Sequence, residues 1–335
     1  MAHLHRLALM LTAALLLAAG CVLLLGSGVG STGFDSVLQA LNDPVAWQIV
    51  WDIRLPRTLG AWLAGALLGL AGAVAQGLFR NPLADPFLLG SASGASLGVA
   101  VALALFGVSP FTTQWVVRLG LTGAAFAGAV AGVLLTLALA KGVQHTLRLL
   151  LAGVIVGVVL SAGKDLVTIA VPDILQAMQA FMLGSTGFVG WMACGIMAAM
   201  LLPCLAVAWA LSHVLDGLTL GEATAHSLGL PLAPMRAALV AVLALATGTA
   251  VAQAGLIAFV GLAAPHLVRS IVKTTHGRLI VLSALMGGLL LMTADVLARW
   301  LIAPQELPVG VLTAVLGGSY LLWLMHRRSG RGGFL

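Results

Sequence analysis

The chain has 335 residues, of which 61% are hydrophobic and 8% are charged, and its net charge at neutral pH is +6. A soluble domain carries about 25% charged residues, and a soluble fold could not hide this much apolar surface without leaving large adhesive patches. The composition therefore excludes an ordinary soluble protein and favours a chain embedded in lipid. The basic residues fall between the apolar stretches, which indicates membrane topology rather than nucleic-acid binding.

The N-terminal apolar run extends to Leu25, which is longer than the core of a signal peptide. We interpret it as a first transmembrane helix rather than a cleaved signal. Three cysteines, Cys21, Cys194 and Cys204, lie inside apolar runs without the spacing of a disulfide framework or a metal site. They are expected to behave as small apolar residues, and neither a metal site nor a cofactor is predicted.

A helix needs about 20 mostly apolar residues to cross the hydrocarbon layer, and ten runs reach or approach that length. They are residues 7–25, 58–79, 88–107, 115–140, 148–170, 189–211, 237–254, 256–272, 279–302 and 309–325. The eighth run is short and contains Pro265, so nine spans is the alternative count. We predict an all-α integral membrane protein with ten transmembrane helices, formed by one domain over residues 1–335.

The basic residues are unevenly shared between the two sides of this bundle. With the N-terminus inside, eleven of the sixteen Lys and Arg residues fall on the cytoplasmic side. The five outer ones are Arg54, Arg57, Arg118, Lys164 and Arg299. This asymmetry follows the positive-inside rule, and tryptophans lie near both boundaries as aromatic belts do. Both termini are therefore predicted to face the cytoplasm of a bacterium, with the chain in the inner membrane.

Glycines and a short repeat indicate how the helices pack. The second span carries five closely spaced glycines, which favours close approach of helix backbones in lipid. Ala-Val-Ala-Gln occurs at residues 73–76 and again at 250–253, and each copy precedes a proline-interrupted stretch. Because the two copies run in opposite directions in the predicted topology, they suggest an inverted repeat, as in many transport proteins.

Two motifs resemble enzyme signatures but lack the required context. Residues 28–33 match the dinucleotide-binding pattern, which needs a preceding strand, whereas here a membrane helix precedes it. Residues 94–98 match the nucleophile elbow, which needs a strand–turn–helix corner. We interpret the first as a turn on the outer side and the second as a helix-packing pattern. No catalytic residue is predicted.

Ionised residues inside apolar runs are costly and usually face a cavity or a partner. Lys164 and Asp165 lie in such a run and are candidates for lining a pathway, although they also lie near its outer end. As sequence neighbours they point to different parts of the helix surface and need not pair with each other. Asp295 and Arg299 are four residues apart and are predicted to form a helical ion pair.

The longest polar segment on the predicted cytoplasmic side covers residues 212–236. Thr219 and Glu222 have the spacing of a capping box, which predicts the start of a short helix. Gly229 and Pro231 are typical of its end. Such explicit start and stop signals indicate a docking element rather than a simple connector.

Six blocks of sequence resemble the permease subunits of binding-protein-dependent ABC importers for vitamin B12, iron-siderophores and haem, known as type II importers. They are residues 53–58; 81–86 with 89–90; 149–153; 221–223 with 228–231; 259–262 with 265–266 and Arg269; and 306–310. The resemblance runs from about Trp47 to the C-terminus. The family has ten spans per subunit and an inverted-repeat architecture. The resemblance implies a subunit that translocates a large metal chelate, with haem or an iron-siderophore favoured and cobalamin possible.

The resemblance also implies partners and sites. The chain would form a homodimer with a path along the interface, bind two separate ATPase subunits inside, and dock a periplasmic binding protein outside. Arg54 and Arg299 match arginines that pair with acidic residues of the binding protein. ATPase coupling falls on Glu222, Ala223, Gly229, Leu230 and Pro231. The cytoplasmic gate falls on Asn81, Leu83, Thr146 and Leu147, where Leu147 replaces a small polar residue of some members.

Two other function classes stay open from the sequence. An ion-coupled secondary transporter would need a relay of ionisable residues near the bilayer centre, and Asp165 and Asp295 are its candidates. A membrane-embedded enzyme would need a paired nucleophile and base, for which Ser96 is the candidate nucleophile. Neither class has a supporting block of sequence.

Overall fold

The structure is a computed structural model that describes residues 2–30, 33–34, 43–107, 115–140, 146–227, 229 and 231–329. Fourteen α-helices occupy most of these residues. In chain order they are α1 (Ala2–Gly28), α2 (Pro44–Ile49), α3 (Leu55–Leu78), α4 (Ser91–Phe106), α5 (Trp115–Leu139), α6 (Thr146–Ala170), α7 (Leu175–Leu183), α8 (Trp191–Ala210), α9 (Ser212–Thr219), α10 (Glu222–Ser227), α11 (Leu232–Ala254), α12 (Val260–Ile271), α13 (His276–Trp300) and α14 (Val309–Ser329).

Each predicted span coincides with one of these helices. Within the described part of the chain, seven helices are long and apolar enough to cross a membrane: α1, α3, α5, α6, α8, α11 and α13. The eighth run is helical only from Val260, and the 12 residues of α12 rise about 18 Å, against a hydrocarbon layer of about 30 Å. The all-α membrane fold is therefore confirmed, and the count of ten complete crossings stays a prediction.

Helix α3 forms the centre of the bundle. In its most apolar stretch 89% of the residues are buried, against 11% in α1 and 17% in α6. A π-helical turn, Val50–Arg54, joins α2 to α3, so residues 44–78 are helical throughout. Helix α3 packs directly against α13, α11, α12 and α8. The peripheral α1 and α6 therefore present apolar side chains outward, as helices in contact with lipid or a second subunit do.

Glycines allow the central helices to approach closely. A Cβ added to Gly65 or Gly69 of α3 would overlap the backbone of Gly287 or Ser283 of α13. Gly94 of α4 and Gly128 of α5 meet in the same way. In lipid, contacts of this kind are a principal source of helix association, so the predicted tight bundle is confirmed at these crossings.

The segment that matches the dinucleotide pattern is not a nucleotide-binding turn. Helix α1 ends at Gly28, and two-residue strands β1 (Val29–Gly30) and β2 (Gly33–Phe34) then pair antiparallel. The prediction that a helix, and not a strand, precedes this motif is confirmed. Residues 31–32 lie outside the described residues.

The two copies of Ala-Val-Ala-Gln occupy the C-terminal ends of α3 and α11. In each copy the glutamine reaches across to another helix. Gln76 Nε2 donates to the Leu262 carbonyl of α12 at 3.1 Å, and Gln253 Nε2 donates to Thr122 Oγ1 of α5 at 3.5 Å. Arg269 in turn donates to Gln76 Oε1. Each repeated glutamine therefore links its helix to another, Gln76 within the core and Gln253 at the cavity wall.

Candidate functional site

At the end of the bundle predicted to face outward, four charged side chains form an ion-pair cluster: Arg57, Asp295, Arg299 and Glu306. Arg57 Nε lies 3.1 Å from Asp295 Oδ1, and Arg57 Nη1 lies 2.8 Å from Glu306 Oε2. Arg299 Nη2 lies 2.7 Å from Asp295 Oδ2, which confirms the predicted helical ion pair. Thr186 Oγ1 also donates to Asp295 at 2.5 Å. The two guanidiniums and two carboxylates give this cluster a formal charge of zero.

The ion-pair cluster joins several segments. Arg299 donates to the Gly26 carbonyl at the end of α1 and to Thr58 Oγ1 of α3, both at 2.9 Å. Arg54 donates to the Gly28 carbonyl at 3.1 Å. Since buried carbonyls at a helix end need donors, these arginines fix α1 against α3 and α13.

The two arginines predicted to dock a partner are therefore placed inside the subunit. Arg54 is 8% exposed and Arg299 is 1% exposed, and both donate to backbone carbonyls. Their docking role stays a prediction. Sequence reasoning missed Arg57 and Glu306, whose ion pair forms the exposed part of the cluster at 11% and 34% side-chain exposure. The available signal was that Arg57 follows Arg54 by three residues, one helical turn.

A cavity of about 430 Å³ adjoins the ion-pair cluster. Its wall is mainly apolar, with Thr122, Ser185, Gln253 and Glu306 as polar members. Residues 306–308 form one side of it, and the ends of α7 and α11 form another. Glu306 therefore belongs to both the cluster and the cavity wall.

The predicted coupling segment, residues 212–236, folds as α9, α10 and the first turns of α11. Helix α10 ends at Ser227, and Gly229 adopts a left-handed conformation with φ of 77°, as a helix-ending glycine does. Pro231 directly precedes α11. The helix–Gly–helix prediction is confirmed, while Leu230 lies outside the described residues.

The predicted capping box is wrong. Thr219 is the last residue of α9, and its hydroxyl donates to the Asp216 carbonyl at 2.6 Å instead of capping α10. The Glu222 carboxylate pairs with Arg236 Nη2 of α11 at 2.7 Å. A threonine hydroxyl readily bonds back to its own helix, and the nearby guanidinium is a stronger partner for Glu222 than a backbone amide.

Two polar side-chain contacts fasten α9 and α10 to the bundle. Arg236 is 4% exposed and holds Glu222, and His276 Nδ1 at the start of α13 lies 2.7 Å from Asp216 Oδ1 of α9. The apolar face of α9 buries Val214 and Leu215 completely. A displacement of α9 or α10 is therefore transmitted to α11 and α13.

We expect Glu222→Gln to lower the free energy of unfolding by about 2 kcal/mol, because it removes the carboxylate that compensates a buried guanidinium. Thermal unfolding of the purified protein measures the change. Arg236→Met provides the control, since a double variant without either charge should lose less than the sum of the two single losses. Additive losses would contradict a direct pairing.

The predicted gate residues lie near two segment ends. Asn81 Oδ1 accepts from the Leu83 amide at 2.9 Å in the turn after α3, and Leu83 is 44% exposed. Leu147 lies in the first turn of α6 and is 70% exposed, and Thr146 begins that helix. A 3₁₀ helix, Pro86–Leu89, packs between the turn and α6. The structure shows exposed apolar side chains on both segments, and their gating role stays a prediction.

Asp85 caps that 3₁₀ helix. Its carboxylate accepts from the Phe87 amide at 2.8 Å. Burial raises the pKa of the Asp85 carboxyl above its usual range, and the bond from Phe87 only partly offsets this rise. This carboxyl is therefore a structural cap for the segment that precedes α4.

Lys164 and Asp165 pair with each other, which their spacing did not require. Lys164 Nζ lies 2.6 Å from Asp165 Oδ1, because the long lysine side chain reaches around the helix surface. The Asp165 side chain is 60% exposed, whereas that of Lys164 is 15% exposed. An ion pair thus lies on the outward-facing side of α6 among exposed residues such as Val158 and Leu166.

These features describe a polytopic helical membrane protein, with the ion-pair cluster at one end and the predicted coupling segment at the other. The chain matches the model of the FecCD transport family over residues 14–327, and it belongs to that family. It is therefore a multi-pass membrane protein and a permease of the kind found in ABC importers.

Curated relatives match most of the chain. The hemin transport system permease protein HmuU of Yersinia pestis is 38% identical over 315 residues, which cover 92% of this chain and 92% of the relative. The vitamin B12 import system permease protein BtuC of Salmonella paratyphi A is 44% identical over 281 residues, covering 82% and 83%. Both relatives are transport permeases, in agreement with the absence of predicted catalysis.

Solved structures show the same fold. One, described as a metal-chelate type ABC transporter in an inward-facing conformation, matches with a TM-score of 0.83 and 29% identity, covering 96% of this chain and 99% of that chain. PsaBC from Streptococcus pneumoniae in complex with Fab matches with a TM-score of 0.57 and 18% identity, covering 85% and 94%, and supports the fold alone.

Proposed function

We propose that this chain is the translocation subunit of an ATP-driven importer that carries a large metal chelate into a bacterial cell across the inner membrane. The observation that carries the proposal is the family match over residues 14–327, together with a fold shared almost end to end with a metal-chelate type ABC transporter. The subunit supplies the path, and a separate ATPase supplies the energy. It acts as one permease domain with both termini in the cytoplasm.

Haem is the first candidate for the cargo, because the hemin permease aligns with 92% of the chain. A ferric siderophore and cobalamin are the other candidates, and cobalamin is supported by the vitamin B12 permease at 44% identity. Haem and cobalamin are both metal complexes of a large tetrapyrrole ring. A wide path with few fixed charges suits such a cargo, and a periplasmic binding protein would supply most of the specificity.

The path is proposed to run between two copies of the chain, with Lys164 and Asp165 lining its outer part. Asp165 is 60% exposed, and apart from Arg148 in the first turn the other exposed residues described on this helix are apolar. A carboxylate facing lipid would be costly, so this side of α6 is better suited to a watery path than to hydrocarbon. The second copy would cover the adjacent apolar side chains of α6.

At the cytoplasmic end, two ATPase subunits are proposed to dock on α10 and the turn that follows it. Their contact residues would be Glu222, Ala223, Gly229, Leu230 and Pro231. Closure of the ATPases would displace α10, and the Glu222–Arg236 pair would pass the movement to α11. The exposed residues Leu83 and Leu147 are proposed to form the gate with Asn81 and Thr146.

The test is uptake by proteoliposomes that contain the chain, its ATPase and its binding protein. Radiolabelled haem, a ferric siderophore and cobalamin are supplied separately, with ATP sealed inside or omitted. We expect ATP-dependent uptake of one chelate, which unlabelled molecules of the same chelate should inhibit. ATP-independent uptake of a chelate, or uptake of none of the three, would contradict the proposed function.

A further inference from the structure

The ion-pair cluster places a constraint on any acidic partner that docks on this end of the bundle. The cluster is already neutral, since Arg57 and Arg299 are balanced by Asp295 and Glu306. An incoming carboxylate would therefore compete with these carboxylates for the N–H groups of the guanidiniums. Burial and bonding decide which of the two carboxylates it replaces.

An incoming carboxylate could not displace Asp295 without disrupting the cluster. Asp295 is 0% exposed, it lies within 3.1 Å of Arg57 and within 2.7 Å of Arg299, and it accepts from Thr186. Glu306 is 34% exposed and pairs with Arg57 at 2.8 Å. Because Arg57 keeps its pair with Asp295 when Glu306 leaves, we expect the exchange of Glu306 to cost only about 1 kcal/mol.

We propose that Glu306 is an internal competitor that occupies Arg57 until a carboxylate of the docking protein replaces it. This inference rests on the proposed function and on docking of the periplasmic binding protein at this end through acidic residues, as the sequence resemblance implies. It assigns Glu306 a role that is distinct from that of the arginines. The residue acts as a positioning residue for docking rather than as a contact of the cargo.

The release of Glu306 would also change the cavity. Residues 306–308 form part of its wall, and α14 begins at Val309. The first turn of α14 packs tightly on its surroundings, because a Cβ on Gly310 would overlap the carbonyls of Leu183 and Leu256. Because Gly310 is held in this way, freeing Glu306 from Arg57 would loosen only the short segment of the wall that precedes it, residues 306–308. The remaining restraint described on this segment is the bond from the Leu307 amide to the Ala298 carbonyl at 3.0 Å, so the Glu306 side chain would link docking to movement of the cavity wall.

The test uses the complex of the permease with its ATPase in lipid nanodiscs and measures the Kd of the binding protein. Glu306→Gln keeps the side-chain shape but removes the charge that holds Arg57. We expect its Kd to be about fivefold lower than that of the parent complex, the equivalent of about 1 kcal/mol. Asp173→Asn removes one exposed charge near the outer end of α6 and should change the Kd less than twofold. Size-exclusion chromatography of each complex confirms that it is assembled.

Each outcome of this experiment has a separate meaning. If the parent binds the protein and Glu306→Gln binds no more tightly than Asp173→Asn, the competitor role is wrong and the proposed importer function stands. If the parent does not bind the protein at all, the proposed docking and the competitor role fail together.

A second measurement needs no binding protein. Leu307→Cys is introduced with Cys21→Ser, since Cys21 is the exposed cysteine while Cys194 and Cys204 are buried. Maleimide labelling of Cys at position 307 should be about fivefold faster when Glu306→Gln is also present, because the wall opens more often. Equal labelling rates would overturn the proposed link between Glu306 and the cavity.

Discussion

Replacement of Asp295 by asparagine is expected to lower the free energy of unfolding by about 3–5 kcal/mol. The carboxylate is completely buried and compensates both Arg57 and Arg299, so its loss leaves two guanidiniums with one remaining carboxylate, Glu306. Removing one partner of a buried ion pair is costly because the desolvated charge that remains is not compensated. Thermal unfolding in detergent, followed by loss of the monodisperse peak, measures the effect.

Asp165→Asn is the matched control for this substitution. It makes the same chemical change in an ion pair whose carboxylate is 60% exposed. Exposed pairs contribute about 1 kcal/mol or less, so the control should have a midpoint close to that of the parent protein. If the two variants lost equal stability, Asp295 would not stabilise the fold by compensating the charges of Arg57 and Arg299.

Replacement of Gly287 by alanine is expected to lower the free energy of unfolding by about 3 kcal/mol. The added methyl group would overlap the Gly65 carbonyl, and it would lie 2.9 Å from the Gly69 Cα atom. Both contacts are backbone atoms of α3, which cannot turn aside as a side chain can. The crossing of α3 and α13 at the centre of the bundle would have to widen.

Gly195 provides the control, because a Cβ added there has nothing within 4 Å. Alanine in an exposed helical position is more stable than glycine by roughly 0.5–1 kcal/mol. The two glycine-to-alanine changes are therefore expected to shift the unfolding midpoint in opposite directions. If Gly287→Ala instead raised the unfolding midpoint, α3 and α13 would not be in close backbone contact at Gly287.

The fold was largely predictable from the sequence because lipid imposes a simple length rule on apolar helices. All ten predicted runs correspond to helices, but the start of the eighth was placed before Val260. The chain ahead of it turns through Phe259, which has a left-handed φ of 68°, a conformation that hydropathy does not report. Short helices such as α7 and α9 also gave no separate signal, since they are well below the length of about 20 apolar residues that marks a span.

The sites were predictable in part. The Asp295–Arg299 pair follows from helical spacing, and the helix end near Gly229 follows from glycine and proline. The Arg57–Glu306 and Glu222–Arg236 pairs could not be read from spacing, because they join residues on different elements. The burial of Arg299 was likewise unpredictable, since it depends on the end of α1 lying beside α13. Long-range packing decided these points.

The measurement that tests the central conclusion most directly is chelate accumulation in proteoliposomes under two energy sources. One set contains the chain with its ATPase, binding protein and internal ATP, and the other contains the chain alone with an imposed proton gradient. We expect accumulation only in the first set, and a proton ionophore should leave it unchanged. Accumulation driven by the gradient in the chain alone would contradict an ATP-driven importer and would establish an ion-coupled transporter instead.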